Sequence, residues 1–380
     1  MVEIHTQSAQ SHIHREKVKV DIKARMLCYG VVADPEYAVD LANTYHLDRG
    51  FIHGTVFMLD GTDPVNTAFL DRLPGAQDPV RLIRDSNGPA VIQDGHRFQC
   101  EPLAQPRVLA KPLVDSTIGA FFSLHSPTTL FTAPVRQCIF ITVGRPCTFC
   151  TFEGGKIRKL SLPDFERALR DILEESPSIS AIAIGGGTPN LTDFGATYYG
   201  DLVSIAKTMG LSVSVEIVPP KPLERLLPLL STGLDSLIMS IEIWDETTRR
   251  RVCLGKGDLA RSHYLEAWSL GLERLGSGSV TSVLLTGIEP LRSTRDGIRE
   301  LTSIGVIPAL LPFREYADVR LRGLKPTTHK EYLSISQECG ILLHRAGLDP
   351  RRQLGCTECG GCSLEILMYR NASEIVLDLD

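Results

Sequence analysis

The sequence predicts an α/β fold: a partial (βα)6 TIM-type barrel with an N-terminal α+β accessory domain and a C-terminal cysteine-rich metal-binding tail. Three observations support this prediction. Apolar, β-branched runs alternate with amphipathic stretches from Val135 onward, residues 20–130 show no regular repeat, and three cysteines lie within residues 356–362. Alternating strands and helices form a parallel sheet, because each helix returns the chain to the same edge. We expect domains at residues 1–130, 131–325 and 326–380.

The barrel prediction depends on six apolar runs and the helices that separate them. The expected strands are Val135–Val143, Ala181–Ile184, Val213–Val218, Ser236–Ile241, Val280–Leu285 and Ile307–Leu311. The expected helices are Pro163–Glu175, Tyr198–Met209, Leu223–Leu230, Leu259–Leu270, Thr294–Ile304 and Thr328–Ala346. In the N-terminal region we expect a helix that opens at Pro35 and a hairpin around Asp94-Gly95. The polar residues 1–19 are expected to be frayed.

Composition narrows the class of protein. The formal net charge of −5 argues against a nucleic-acid binder. No apolar run approaches the roughly 18 residues that cross a bilayer, and the N-terminus lacks the apolar core of a signal peptide. Six of the ten cysteines fall in two tight clusters, which is typical of metal-bound thiolates in a reducing compartment. We therefore expect a cytoplasmic protein with neither a nucleic-acid nor a membrane partner.

The first cysteine cluster follows the first predicted barrel strand. Cys138, Cys147 and Cys150 lie near one strand end, where barrel enzymes place their chemistry. Three thiolates suit three corners of a cubane iron–sulfur cluster and leave the fourth iron open. The alternative is that Cys138 is a core cysteine and that Cys147 and Cys150 form half of a zinc site.

At these residues the sequence resembles radical S-adenosylmethionine (SAM) enzymes, whose usual signature is C-x3-C-x2-C with an aromatic residue before the last cysteine. Phe149 holds the aromatic position, whereas the first gap is eight residues long. The resemblance runs from about Val135 to the C-terminus. It is nearest to the biotin synthase and lipoyl synthase branch and, within it, to radical SAM proteins encoded in bacterial nitrilase-containing gene clusters.

The resemblance implies a cofactor set and a reaction. A [4Fe-4S] cluster on Cys138, Cys147 and Cys150 would bind SAM, and its reduction would cleave SAM to methionine and a 5′-deoxyadenosyl radical. That radical would abstract hydrogen from a small-molecule or cofactor-precursor substrate. An electron donor such as ferredoxin or flavodoxin would act as the partner. No residue is assigned a catalytic role at this stage.

The ends of the second and third strands carry candidate SAM contacts. Glycines let a backbone approach a ligand closely, and the resemblance assigns Gly186, Gly187 and Thr188 to the SAM amino group, although a plain turn would also explain them. Glu216 interrupts an apolar strand, where a carboxylate is costly unless it is paired or faces a cavity. It would contact the SAM ribose or amino group, or else form a salt bridge to a neighbouring strand.

The fourth strand and the segment after it supply further candidates. Ser240 and Glu242 alternate with an apolar residue, so both are expected to line the cavity. The resembled family uses a cation after this strand for the SAM carboxylate, which makes Arg251 and Lys256 the candidates.

After the fifth and sixth strands come two apolar candidates, Ile288 and Phe313. Both could flank the adenine of SAM, and ordinary core packing is the alternative.

The second cysteine cluster is the C-x2-C-x2-C run of Cys356, Cys359 and Cys362. Its spacing and glycines indicate a metal site. Three thiolates could hold a second [4Fe-4S] cluster, with the fourth position taken by Ser363, a distant side chain or substrate. The alternative is zinc, completed by Cys339 or His344. We favour the cluster, because the compact run leaves a position open.

Three functional hypotheses follow. The first is a radical SAM enzyme that inserts sulfur from the tail cluster, as the resembled synthases imply, which would make it a sulfur-transferring transferase in biosynthesis. The second is a radical SAM rearrangement or oxidation enzyme whose tail holds zinc or an electron-transfer cluster. The third is a non-catalytic iron–sulfur or zinc scaffold that binds a partner. The glycine segment, Glu216 and the cation after strand four argue against the scaffold, which needs no SAM pocket.

Overall fold

The computed structural model describes residues 2–47, 54–69, 71, 73, 78–152, 158–352 and 356–375, with residues 2–13, 356–357 and 373–375 described by their backbone alone. Within these residues the strands are β1 Val31–Val32, β2 Thr55–Leu59, β3 Asp63–Thr67, β4 Val80–Arg81, β5 Ile83–Asp85, β6 Gly88–Gln93, β7 His96–Pro102, β8 Pro112–Leu113, β9 Ser116–Thr117, β10 Phe122–Leu124, β11 Thr129–Val135, β12 Ala181–Gly186, β13 Ser212–Glu216, β14 Ser236–Ile238, β15 Val280–Thr286 and β16 Ile307–Pro312.

The helices are α1 Val2–Tyr29, α2 Pro35–Thr44, α3 Ile139–Thr142, α4 Leu162–Glu175, α5 Ala196–Thr208, α6 Leu227–Leu230, α7 Glu246–Val252, α8 Arg261–Leu275, α9 Leu291–Ser303, α10 His329–Arg345, α11 Cys356–Cys359 and α12 Glu365–Ile375. In the part of the chain that the structure describes, no helix combines the length and hydropathy needed to cross a membrane.

A curled sheet of seven strands forms the centre of the molecule. Its order is β10-β11-β12-β13-β14-β15-β16, in which β10 is antiparallel to β11 and every later pair is parallel. Six parallel strands in sequence order, separated by helices, form a half-barrel, which confirms the predicted α/β class. The parallel direction brings the C-terminal strand ends together at one edge.

The helices around this sheet lie close to their predicted positions. Ser161 caps α4 by accepting from the Asp164 backbone, and Thr328 and Glu331 form a capping box at the start of α10. One predicted helix, Leu223–Leu230, is divided into a 3-10 turn and the single turn of α6. Helix α7 was absent from the predicted helices.

The first predicted strand, Val135–Val143, was wrong. The strand β11 ends at Val135, which is paired with Gly186, and the rest of the apolar run forms a loop and the one-turn helix α3. A short apolar run does not distinguish a strand from the buried loop after it, because both bury apolar side chains. Cys138 therefore lies beyond the strand, at the barrel edge.

The N-terminal region forms a five-stranded antiparallel sheet, β3-β2-β7-β6-β5, packed with α1. The helix at Pro35 and the hairpin at Asp94-Gly95 are confirmed. The expectation that residues 1–19 are frayed was wrong, because the described backbone from Val2 onward is helical and α1 buries Val18 and Lys19. The burial of Lys19 is possible because its ammonium pairs with Asp63 at 2.9 Å.

The tail packs on the barrel through α12. Gly340 of α10 meets Met368 of α12 so closely that a Cβ at Gly340 would lie 2.6 Å from the Met368 side chain. Glu365 is fully buried, and its Oε1 accepts a hydrogen bond from the Leu310 backbone of β16 at 2.7 Å. Burial raises the pKa of Glu365 to about 7.

A Glu365→Gln substitution should alter how stability depends on pH. Because the folded state holds this proton more tightly than the unfolded chain, wild-type stability should fall as the pH rises from about 4.5 through about 7. Glutamine does not titrate, so its stability should not change in this way. The pH-dependent part of the difference in unfolding free energy between the two proteins should reach about 3 kcal/mol at neutral pH. Urea unfolding between pH 5 and 8 measures it, with exposed Glu224→Gln as the control. Parallel stability–pH curves for wild type and Glu365→Gln would contradict the prediction.

Candidate functional site

A cavity of about 1310 Å³ opens at the C-terminal edge of the half-barrel. It is lined by all three cysteines of the first cluster and by seven of the predicted SAM contacts. These residues are Cys138, Cys147, Cys150, Gly186, Gly187, Thr188, Glu216, Ser240, Glu242 and Lys256. The structure places these residues around one cavity, and their roles toward a metal and SAM stay predictions.

Cys138 is positioned by a close approach between two backbones. The Gly187 amide donates to the Val135 carbonyl at 2.9 Å, and the Ile139 amide donates to the Thr188 carbonyl at 2.7 Å. A Cβ at Gly187 would lie 2.3 Å from the Gln137 carbonyl oxygen, so no other residue fits there. The glycines thus serve first to bring the loop that carries Cys138 against β12.

Cys147 and Cys150 are held by a different segment, the one that follows α7. The Thr148 amide donates to the Val252 carbonyl at 2.7 Å, and Cys147 forms a β-bridge with Cys253. Cys253 is fully buried and is hydrogen-bonded to Cys147 through its side chain. Cys253 belongs to neither cysteine cluster of the sequence. Its contact with Cys147 could not be predicted, because the two residues are far apart along the chain.

Three charged residues of the cavity, Glu216, Glu242 and Lys256, lie at the end of β13 or after β14. Lys256 pairs with Glu242, with side-chain exposures of 9% and 13%. Burial alone would lower the pKa of Lys256, but Glu242 and Cys147 raise it well above its usual value, so the lysine is charged. Glu216 forms no salt bridge among the described residues. Its Oε1 accepts a hydrogen bond from the Ser240 hydroxyl at 2.9 Å.

The backbone at Glu242 is strained in order to place this carboxylate. Glu242 has a φ of 60°, in the left-handed region, while its amide donates to Val283 and its carbonyl accepts from Leu285 of β15. For a residue other than glycine, this backbone conformation costs on the order of 1 kcal/mol. Such strain is typical of functional sites.

Three of the predicted contacts lie elsewhere. Arg251 is exposed on α7 and is not among the residues that line the cavity, so Lys256 is the better candidate for a carboxylate. Ile288 and Phe313 are buried in a small apolar cluster with Val252 and Cys253. Both side chains are therefore packed in an apolar core, which was the alternative to a contact with the adenine of SAM.

The donor set fits a cluster better than a single ion. Among the described residues, no group of three cysteine, histidine or acidic side chains lies close enough to hold one metal ion. A cubane instead holds each thiolate on a different iron, and all three thiols face one cavity. Burial, followed by the charges of Cys147 and Cys138, raises the pKa of Cys150 to about 12. Metal binding would relieve this, because a coordinated thiol is deprotonated.

Comparison with known proteins identifies the segment that holds this site. Residues 142–290 match the model of the Radical SAM superfamily. This segment is therefore similar to the radical SAM superfamily. It includes Cys147 and Cys150, and Cys138 lies just before it.

Several known proteins are similar to parts of the chain. The bacteriochlorophyllide c C-7(1)-hydroxylase of Chlorobaculum limnaeum is 23% identical over 202 residues, which is 47% of this chain and 50% of that protein. The chain thus spans about half the length of this curated relative. The structure of a methylornithine synthase has a TM-score of 0.44 and 17% identity, over 58% of this chain and 61% of that chain. A radical SAM methyltransferase from Sphaerobacter thermophilus has a TM-score of 0.46 and 12% identity, over 83% of this chain and 80% of that chain.

The tail cysteines lie outside the matched radical SAM segment, against the N-terminal region. The Asn66 amide group donates to the Cys362 thiol at 3.4 Å, and the buried Lys23 ammonium donates to the Gly360 carbonyl at 2.7 Å. Cys359 is buried, and its thiol accepts from the Gly361 amide at 3.4 Å. The side chain of Cys356 lies outside the described residues.

The predicted fourth ligands of the tail have other contacts. The Cys339 thiol donates to the Pro308 carbonyl at 3.9 Å, and the His344 ring packs on Tyr369 with centroids 5.5 Å apart. Ser363 is buried and hydrogen-bonded to Glu365. A zinc site completed by Cys339 or His344 would require these contacts to break.

Breaking the pair between Glu242 and Lys256 should destabilise the fold. Glu242→Gln leaves a buried ammonium unpaired, and we expect a loss of about 3–5 kcal/mol in the free energy of unfolding. The matched control is Glu246→Gln, which removes the exposed Glu246–Arg250 pair and should cost less than about 1 kcal/mol.

The double variant Glu242→Gln/Lys256→Met should lose less stability than the two single variants added together, because neither buried charge remains. Guanidinium unfolding of all four variants measures these differences. Equal losses for Glu242→Gln and Glu246→Gln would show that the buried pair is not a desolvated charge pair.

Proposed function

We propose that the chain is a radical SAM enzyme acting on a small molecule. The observation that carries this proposal is the convergence of Cys138, Cys147 and Cys150 on one cavity that also contains a buried charge pair. When bound there, a [4Fe-4S] cluster with SAM supplies reductive cleavage of SAM and hydrogen abstraction from the substrate. A reduced ferredoxin or flavodoxin is the class of electron donor such chemistry needs.

The residues of the cavity fit the two charged ends of SAM. Lys256 offers a buried ammonium for the carboxylate, and the Ser240 carbonyl, 3.5 Å from its Nζ, helps to orient it. Glu216 offers a carboxylate for the amino group or for the ribose hydroxyls. Its contact with Ser240 fixes its position without neutralising its charge. These groups act by binding and orienting, and they need no proton transfer.

The N-terminal region shapes the rest of the cavity. Asp115, Thr117 and Phe121 line its wall together with residues of the barrel edge. A polar wall with an aromatic side chain suits a small molecule that is held away from bulk water. We infer that this region forms the substrate part of the site, which favours an enzyme over a partner-binding scaffold.

For the tail we propose a second [4Fe-4S] cluster, with zinc as the alternative. Asn66 links it to the cavity, because its amide group contacts Cys362 and its carbonyl accepts from the cavity residue Arg314 at 3.2 Å. A cluster one residue from the cavity wall is suitably placed to donate sulfur to a substrate, which is our first hypothesis for the outcome.

An oxidation without sulfur transfer is the second hypothesis. The observation in its favour is that the curated relative is a hydroxylase. In that case the tail cluster would carry electrons.

Replacement of the cavity cysteines should abolish both cluster loading and SAM cleavage. The variant Cys138→Ala/Cys147→Ala/Cys150→Ala should lose about four irons and four sulfides per chain after anaerobic reconstitution. It should also form no 5′-deoxyadenosine with dithionite. Cys28→Ala is the control, because it removes a buried thiol that does not line the cavity. Iron retention in the triple variant, or 5′-deoxyadenosine formation by it, would overturn the assignment.

The corresponding tail variant tests the second cluster. Cys356→Ala/Cys359→Ala/Cys362→Ala should lower the iron content from about eight to about four per chain while SAM cleavage persists. Iron, sulfide and zinc analysis measures this. An unchanged iron content of about four with a loss of one zinc would establish zinc and exclude the tail as a sulfur donor.

A further inference from the structure

We propose that Arg314 forms an oxyanion-binding subsite in the cavity, so that the substrate carries a carboxylate or phosphate group. This inference rests on the proposed function, because it names the chemical class of the molecule that the cavity would hold.

Arg314 is a cavity cation that has no carboxylate partner among the described residues. It lies two residues beyond the end of β16 and is half-buried. Its Nη1 donates to the Asn66 carbonyl at 3.2 Å, and its guanidinium lies over the Tyr316 ring, 5.3 Å from the centroid. A guanidinium has five N–H donors, so one hydrogen bond to a backbone carbonyl leaves most of these donors for a ligand.

The other described cations of the cavity have partners of their own. Lys256 pairs with Glu242. Arg158 pairs with Asp115 at 3.4 Å. The Arg136 guanidinium donates to the Ala120 carbonyl and lies 6.0 Å from the Phe121 centroid. Arg314 therefore differs from Lys256 and Arg158 in having a carbonyl and an aromatic ring, rather than a carboxylate, as partners.

These two partners orient the guanidinium without neutralising it. The Asn66 carbonyl fixes one nitrogen, and the Tyr316 ring supports one face, so the planar fork is preorganised. A fork of this kind binds carboxylate or phosphate through two parallel hydrogen bonds. Partial burial strengthens that attraction relative to a surface arginine.

The Arg314 subsite is separate from the group we assign to the SAM carboxylate. Lys256 is anchored by Glu242 and Ser240 after β14, whereas Arg314 is anchored by Asn66 of β3 and by the chain after β16. One cavity thus offers two cations at different strands. SAM has a single carboxylate, so the second cation is available to the substrate.

Isothermal titration of the reconstituted holoprotein with SAM present tests the subsite. Inorganic phosphate and succinate are the two probes, and whichever anion binds more tightly distinguishes a phosphate substrate from a carboxylate substrate. Arg314→Met should weaken binding by at least about tenfold, and Arg314→Lys should weaken it less, because it keeps the charge and loses the fork. Arg320→Met is the matched control, since this exposed arginine belongs to the same segment and does not line the cavity.

The same samples are titrated with SAM and assayed for 5′-deoxyadenosine. Equal anion binding by wild type and Arg314→Met overturns the proposal, as does the absence of binding of both anions to wild type. Loss of SAM affinity in Arg314→Met with unchanged anion binding also overturns it, by assigning Arg314 to SAM. A wild-type protein that binds the anions through Arg314 but forms no 5′-deoxyadenosine would instead refute the proposed function alone.

Discussion

The geometry of the site depends on the contact between the end of β12 and the loop that follows β11. Parallel pairing continues to Val135 and Gly186, and then the two chains approach closely enough that Gly187 touches the Gln137 backbone. The Tyr199 hydroxyl donates to the Gly187 carbonyl at 2.9 Å and so secures the same turn from α5. The contacts between Gly187 and the chain from Val135 to Gln137 are made by backbone atoms, and together with the Tyr199 hydroxyl they fix the path of the chain at Cys138. A larger residue at Gly187 would displace the adjacent backbone at Gln137 and, with it, the Cys138 thiol.

The remaining two thiols are positioned independently of this contact. Their loop is held by the strand-like pairing of Cys147 with Cys253 and by hydrogen bonds from the Arg320 and Leu321 amides to the Thr148 carbonyl. Three parts of the chain thus hold the loops that carry the cysteines: the β11–β12 edge, the segment after α7 and the segment after β16. The wide gap between Cys138 and Cys147 is explained by this arrangement, because the chain must form α3 and a turn before it reaches the second support.

The sequence predicts the fold well where a pattern repeats and poorly where it does not. The strands β12 to β16 were predictable, since parallel strands and amphipathic helices each have their own period, whereas the first strand was placed beyond β11. The position of Cys138 relative to its strand was not, because the apolar residues of α3 look like a continuation of β11. Helix α1 was missed for a related reason. Its lysines suggest an exposed segment, whereas Lys19 and Lys23 are buried because they contact Asp63 and the Gly360 carbonyl, which are distant in sequence.

The same limit applies to the site. Glu216, Ser240 and Glu242 were predictable as cavity residues, because polar side chains in an apolar strand context need a reason to be there. The choice between Arg251 and Lys256 was not, since both follow the same strand and only the turn after α7 decides which one faces inward. Arg314 and Cys253 carry no local motif, and their significance comes entirely from neighbours contributed by other parts of the chain.

Asn66 connects the tail cysteines to the wall of the cavity. Its amide group contacts Cys362, its backbone amide donates to the Gly361 carbonyl at 2.7 Å, and its carbonyl accepts from Arg314. The tail turn and a guanidinium that lines the cavity thus share one hydrogen-bonding partner, a residue of β3. The N-terminal region, which carries no cysteine of either cluster, supplies the residue that contacts both. This gives a physical reason for an accessory domain whose own sequence shows no chemical motif.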